Sequence, residues 1–400
     1  MEKKKIMILG ASNVQAKLVE AAKRLGYHTI VGSIPGDYPA FDICDEIAYV
    51  DISKPEEVYE KAKELKIDGI ATCCLDTGIH AVGYVAEKMG LCNLSERSAE
   101  MCNNKFLMKE ALEMAGVSTA RFRKVTDTAS LEKAMEELSF PLIIKAVDLQ
   151  GSKGIYIART KEDAVNGFAS AMELTREDFC IAEEFIEGNE LGAQSFVTNG
   201  KILFVLPHGD NTYLSHTNVP IGHFVPLNIS PELYQASIDE TVKAIRAVGL
   251  DNCAVNIDLI EKDGKIYVIE LTGRAGATCL PELVSIYYNI DYYEMIAYMA
   301  MGGDPEEIFA LRDDKKTANA SRMLRVEKTG TVKRITENFT TDDSVYDYSL
   351  IIKVGSRVNK FTNAKDRIGQ VIVKAATYEE CEKKINEIID GLDIEIEEDA

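Results

Sequence analysis

Over its first hundred residues the chain alternates short apolar runs with amphipathic ones, and this alternation restricts the fold more than any other feature. Lys5–Leu9 reads as an apolar strand, followed by Gly10-Ala11-Ser12 and a helical stretch to residue 25. Residues 28–32 and 47–51 read as short strands. Ser53, Pro55 and Glu56 then supply an N-cap, an early proline and a capping-box carboxylate. Val58, Ala62 and Leu65 recur behind them at helical spacing. Residues 67–74 make another strand and 78–89 a helix. Strands separated by helices predict a parallel sheet with helices on its faces.

The turn after the first strand invites comparison with a dinucleotide fingerprint, which needs glycine at positions 12 and 15. Those positions hold Ser12 and Gln15, so the backbone cannot approach a pyrophosphate as that motif requires. The domain is Rossmann-like in topology only. Residues 96–115 then read as helical with a break at 102–104, and Lys105 stands just after the break. A short helix covers 131–138. Residues 143–158, IIKAVDLQGSKGIYIA, predict strand–loop–strand. Residues 179–185 and 191–197 read as a hairpin about Gly188-Asn189, and 207–226 as a long polar loop holding His208, His216 and His223. Pro231–Val248 is an amphipathic helix. Two strands, 254–260 and 265–271, follow as a hairpin. Gly302-Gly303-Asp304-Pro305 marks a boundary, beyond which a smaller strand-rich region ends in an acidic tail.

Composition removes several classes of partner. The net charge of −20 argues against duplex nucleic acid or an anionic membrane surface, since both call for a basic face. The nine cysteines are scattered without a C-x-x-C pair, which reads as the reduced thiols of a cytoplasmic protein and not as a disulfide framework or a zinc site. No apolar run reaches membrane-spanning length, and MEKKKIMILGAS leads directly into a strand instead of a signal peptide.

Chemistry concentrates in the second hairpin, VNIDLIEKDGKIYVIELTGRAG. Asp258 and Glu270 each interrupt an apolar strand and fall roughly opposite each other across the turn. A carboxylate among apolar neighbours is costly unless it is paired or bound to a cation. Two facing carboxylates, followed by Thr272 and Arg274, point to Mg2+ held by oxygen ligands. Lys145 lies in PLIIKAV, so it is either buried with a partner or points into a cleft. Lys105 and Lys153 carry further positive charge, and IAEEFIEGNE offers Glu183, Glu190 and an extended backbone at Phe185-Ile186.

The order of these features resembles the ATP-grasp family: lysine, lysine-bearing strand, Gly-Ser loop, strand with E-E-F-I-x-G-x-E, then paired carboxylates and arginine. The resemblance covers about residues 1–330. It implies an α/β and α+β chain in three parts. These are a Rossmann-like pre-ATP-grasp domain over 1–100, a two-lobed ATP-grasp domain over 101–300 with a lid at about 140–200, and a small α+β domain over 301–400. It implies that Lys105 and Lys145 bind ATP phosphates under a lid formed by Ser152, Lys153 and Gly154. Glu183, Phe185 and Ile186 would contact adenine, and Glu190 the ribose. Asp258, Glu270 and Thr272 would hold Mg2+ (with Mn2+ as a substitute), and Arg274 would act with Lys145 on the transferring phosphoryl group. Thr272 stands where the family usually has Asn, and Asp258 where it often has Glu.

Family members join a carboxylate to an amine through an acyl phosphate, releasing ADP and phosphate, and dimers are usual among them. Asp76, Thr77, His216 and Arg322 are candidates for contacting the small-molecule carboxylate and amine, which in the L-amino-acid ligase branch are two amino acids. A bicarbonate-dependent carboxylase and a non-catalytic ATP-binding regulator are the competing readings.

Overall fold

The computed structural model describes residues 3–149, 153–214 and 218–398. They form two compact units. The first holds residues 1–206, 230–275 and 293–309, and the second holds 207–229, 276–292 and 310–400.

The first unit opens with β1 (Lys5–Leu9), α1 (Asn13–Arg24), β2 (His28–Ser33), β3 (Glu46–Tyr49), α2 (Pro55–Leu65), β4 (Gly69–Ala71) and α3 (Ile79–Met89). Its sheet is parallel in the order β3-β2-β1-β4, as the alternation predicts. Ile6, Met7, Ile8 and Leu9 are fully buried because helices cover both faces of the central strand. Gln15, at the third fingerprint position, is tied into the turn: its Oε1 accepts from the Ser12 N–H at 3.0 Å and its Nε2 donates to the Cys73 carbonyl at 2.6 Å. The start of α2 corrects the expected cap. Lys54 is the N-cap and Pro55 the first helical residue, while the Ser53 hydroxyl donates to Asp51 instead.

Next come α4 (Glu96–Asn103), α5 (Lys105–Met114), β5 (Phe122–Val125), α6 (Thr128–Glu137), β6 (Leu142–Ala146), β7 (Ile155–Ala158), α7 (Lys161–Leu174) and β8 (Cys180–Glu184). Strands β5-β8-β6-β7 form an antiparallel sheet. Leu131 and Ala134 of α6 and Ala164 and Ala171 of α7 share one core with Leu142, Ile144, Cys180 and Ala182. The strand–loop–strand of 143–158 is the β6–β7 hairpin of this sheet. Its tip, Gln150 to Ser152, lies outside the described residues.

The chain continues through β9 (Asn189–Thr198), β10 (Lys201–Leu214), β11 (Asn218–Val225), α8 (Pro231–Val248), β12 (Cys253–Lys262) and β13 (Lys265–Thr272). Two expectations fail here. Strand β8 does not form a hairpin with β9: β8 is occupied on both sides by β5 and β6, and β9 pairs with β12. Residues 207–226 are not a polar loop either, since β10 and β11 are antiparallel partners over most of that span. In the first unit β10 follows β13-β12-β9, and from Pro207 it belongs to the second unit. Helix α8 has complete punctuation: the Ser230 hydroxyl accepts from the Leu233 N–H, Pro231 occupies the first turn, and Gly249 takes φ +71°.

The remaining elements are α9 (Leu280–Tyr288), α10 (Tyr292–Ala300), α11 (Pro305–Phe309), β14 (Ala318–Leu324), β15 (Gly330–Glu337), β16 (Val345–Leu350), β17 (Arg357–Val358), β18 (Gly369–Ala375), α12 (Tyr378–Gly391) and β19 (Leu392–Glu398). In the second unit, β10 continues into the order β11-β14-β18-β16, and β17-β15-β19 forms a separate small sheet. Val332, Val371, Val373, Cys381, Ile385 and Ile388 pack α12 against these strands. The described residues of the acidic tail form β19. Its carboxylates meet Lys328, Lys333 and Arg334 on or next to β15, opposite charges facing each other across neighbouring strands.

Candidate active site

The β12–β13 hairpin sets the position of two carboxylates. Its turn residues, Asp263 and Gly264, both have positive φ, +52° and +77°, as a tight two-residue hairpin turn requires. The register that follows places Asp258 directly opposite Glu270 and Asn256 opposite Thr272. Opposed residues in an antiparallel ladder share a face, so the carboxylates point the same way while Ile257 and Leu271 are buried on the other side. A register shift just beyond Asp258 brings Leu259 opposite Val268, so Ile269 is the extra residue of a bulge beside Glu270. On the other side of β12, Gly192 lies opposite Asp258, and Glu190, two residues earlier on β9, shares its face.

Asp258 is oriented from within the ladder. Asn256 Nδ2 donates to Asp258 Oδ1 at 3.0 Å, and Asn256 Oδ1 accepts from Gln194 Nε2 at 2.6 Å. Sequence reasoning passed over Asn256. Its signal was the period of two that places it on the same face as Asp258.

The lysines come from α5 and β6. Asn104 separates α4 from α5, and its side chain caps α5 by accepting from the Phe106 and Leu107 N–H groups. Lys105, first in the helix, donates to the Leu149 carbonyl at 2.7 Å and lies 3.8 Å from Glu270 Oε2. One turn later Lys109, which sequence reasoning also missed, faces inward and is fully buried. Its ammonium is 3.1 Å from Glu183 Oε2 and donates to Thr119 Oγ1 at 2.7 Å. Lys145 reaches the same Glu183 oxygen at 3.2 Å. Of the two options open for Lys145, burial with a partner is the one observed.

Burial pushes the Glu183 carboxyl up, but Lys109 and Lys145 outweigh it and hold the group below its ordinary pKa. Burial takes the Lys109 ammonium below its ordinary value, against the pull of Glu183. Two lysines and one glutamate leave one excess positive charge in a buried cluster, where it favours an anion such as a phosphate. Among the described residues Glu183 Oε1 is buried with no hydrogen-bond partner, so an acceptor stands open to a donor such as a purine amino group. The Phe185 N–H, by contrast, is committed to the Pro141 carbonyl at 2.9 Å and is not available to a base. Lys153 is exposed, and Gly154, at φ +66°, is buried with its carbonyl accepting from the Ala146 N–H.

Asp76 and Arg274 form a two-pronged ion pair, with Nε to Oδ1 at 2.8 Å and Nη2 to Oδ2 at 2.9 Å. Thr272 Oγ1 donates to the same Oδ1 at 3.2 Å, so the hydroxyl is engaged by Asp76. Burial raises the Asp76 pKa, but Arg274 and Thr272 more than reverse this. Thr77 is exposed on the adjoining turn. Asp76→Ala is expected to lower the unfolding free energy by roughly 2 to 3 kcal/mol, because it leaves the Arg274 guanidinium without its counter-ion. Urea titration checks this, and a midpoint equal to that of the unaltered chain would mean solvent replaces the aspartate.

Arg322 belongs to the second unit, where Nη2 donates to Glu382 Oε1 at 2.6 Å. Ser152 and His216 lie outside the described residues. Burial raises the thiol pKa of Cys102 and Cys180 to about 12, which makes neither a nucleophile at neutral pH.

Residues 103–248 match the family profile described as phosphoribosylglycinamide synthetase, ATP-grasp (A) domain, and residues 322–397 match that of L-amino acid ligase C-terminal domain 2. The solved phosphoribosylglycinamide synthetase of Anaerococcus prevotii is 46% identical, with a TM-score of 0.87 covering 99% of this chain and 100% of that one. The L-amino acid ligase of Bacillus licheniformis is 20% identical with a TM-score of 0.83 over 99% of this chain and 100% of that one, a likeness of fold. The alanine–anticapsin ligase of Bacillus subtilis is 24% identical over 60% of this chain and 56% of that protein, so the chain spans little more than half of that relative.

Proposed function

The chain belongs to the ATP-grasp family of ligases, which join a carboxylate to an amine with ATP and Mg2+, and from that premise we propose the roles of its residues and the nature of its substrates. The observation that carries the reading is the directly opposed pair Asp258 and Glu270, with Lys105 3.8 Å from Glu270. Asp258 and Glu270 hold Mg2+, oxygen ligands suited to a hard cation. Lys105 and Lys145 neutralise phosphate charge, with Lys109 as the buried counterpart that sequence reasoning missed. Lys153 and Gly154 belong to a lid over the phosphates. Glu183 receives the adenine amino group through its open oxygen, the Ile186 backbone borders the base, and Glu190 accepts from the ribose.

ATP supplies the phosphoryl group that converts the substrate carboxylate into an acyl phosphate, from which the amine displaces phosphate, leaving ADP. The chain contributes charge neutralisation and positioning. Arg274 steadies the transferring group, and Asp76 positions that guanidinium while Thr77 stands at the acceptor's side. Two amino acids as substrates are supported by the match of residues 322–397 to the L-amino acid ligase domain, the part that contains Arg322. The name of the 46% identical relative supports a second reading, in which the product is phosphoribosylglycinamide. Among the described residues no helix is long and apolar enough to cross a membrane. A cytoplasmic homodimer is the form proposed.

Nucleotide products resolved by chromatography test the reading. The protein is incubated with ATP, Mg2+ and pooled amino acids, with and without bicarbonate, and separately with glycine and a phosphoribosyl amine. ADP and phosphate that appear only with a carboxylate and an amine are expected. AMP and pyrophosphate would overturn the acyl phosphate, and ADP that requires bicarbonate would make the protein a carboxylase.

A further inference from the structure

A second polar cluster lies wholly within the second unit. Asp210 on β10 is directly opposite His223 on β11, and His208 precedes Asp210 by two residues. The alternation of a strand therefore directs all three side chains to one face. Asp210 Oδ1 lies 2.9 Å from His208 Nδ1 and 2.6 Å from His223 Nδ1. One ligand atom from each residue falls within 4.8 Å of the other two. His208 and His223 are only 2% and 4% exposed. None of the three belongs to the ATP and magnesium set of the first unit.

We propose that His208, Asp210 and His223 form a binding site for a divalent transition metal, Zn2+ above all, that ties β10 to β11. Two imidazole nitrogens and one carboxylate oxygen suit Zn2+, Co2+ or Ni2+, whereas Mg2+ and Ca2+ prefer oxygen throughout. Among the described residues His208 Nε2 is buried without a hydrogen-bond partner, which leaves that ring nitrogen open to a ligand. Ligand atoms about 2.0 to 2.2 Å from a tetrahedral ion stand about 3.3 Å apart, so the two histidine–aspartate contacts open by roughly half an ångström, while the two histidine ligand atoms lie no more than 4.8 Å apart.

The surroundings are already fixed. Ser321 Oγ accepts from the His223 N–H at 3.1 Å and donates to the Thr278 carbonyl at 3.3 Å, which holds β11 in place. Arg322, next along β14, points to the opposite face and is ion-paired with Glu382, so it does not oppose a cation. Three protein ligands leave a fourth position for water or another ligand.

The test uses the full chain, stripped with chelator, desalted and titrated with Zn2+ or Co2+. Elemental analysis after gel filtration is expected to find one zinc per chain, and thermal unfolding to shift upward with added metal. The Co2+ form should show visible d–d bands without intense near-ultraviolet thiolate absorption. Asp210→Asn and His223→Gln should weaken binding at least a hundredfold, while Glu270→Gln should bind as the unaltered chain does. Absence of zinc and cobalt binding would overturn the proposal, as would a thiolate band, or variants that bind as well as the original. Circular dichroism checks the variants' folding, and if they fail to fold, the cobalt spectrum of the unaltered chain decides.

Discussion

Glu270→Gln is expected to lower kcat roughly a thousandfold or more, about 4 kcal/mol of activation free energy, without lowering stability. The two halves of this expectation have one cause. Asp258 and Glu270 face each other across the β12–β13 ladder, and two carboxylates held that way repel unless a cation lies between them. Replacing one by a neutral amide of the same shape relieves the repulsion in the unliganded protein, at the loss of only a long contact from Lys105. The same replacement removes half of the anionic charge that holds Mg2+ where phosphate charge develops. Steady-state rates across a Mg2+ titration, together with thermal unfolding, check both halves. A variant retaining most of its kcat at saturating Mg2+ would remove Glu270 from the metal site.

How legible this site was depends on whether its residues broke a local pattern. Asp258 and Glu270 stand out because each interrupts an apolar strand, and the Asp-Gly turn between them nearly dictates their register. Lys145 stands out for the same reason. Lys109 does not, because a lysine one helical turn after Lys105 looks like part of a solvated helix face, and only the packing of α5 turns it inward. The stretch 207–226 misleads in the opposite sense. His208, Asp210 and His223 make it look like a polar loop, although the polar residues alternate along β10 as a strand requires, and their partners lie on the neighbouring strand. Pairing across distance was the other blind spot. The turn-like Gly188-Asn189 suggests a β8–β9 hairpin, yet β8 is filled on both edges by β5 and β6. Local turn chemistry cannot report that an edge is already taken.

The buried cluster of Lys109, Lys145 and Glu183 yields the second large effect, because removing its negative charge and removing one positive charge should differ sharply in cost. Glu183→Gln leaves two ammonium groups facing a neutral amide in the interior, which is expected to cost about 3 to 5 kcal/mol of stability. Lys145→Met leaves Lys109 and Glu183 as a balanced pair, with Lys109 still donating to Thr119 Oγ1. The unliganded Lys145→Met protein should therefore unfold within about 2 °C of the unaltered chain. ATP should reveal the role of Lys145. It is expected to raise the unfolding temperature of the unaltered chain by mass action, and to do so much less in Lys145→Met, with a higher KM for ATP and a lower kcat. The pH dependence follows from the same charges. The lysines hold the Glu183 carboxyl below its ordinary 4.5, so its contribution to stability is complete above that pH and is lost as the pH falls below it. That acid-side loss should be smaller in Glu183→Gln. Thermal unfolding of both variants with and without ATP, between pH 3 and pH 7, reads all of these effects. If Lys145→Met destabilises the unliganded chain as much as Glu183→Gln does, Lys145 is a structural partner of Glu183 and not a phosphate ligand.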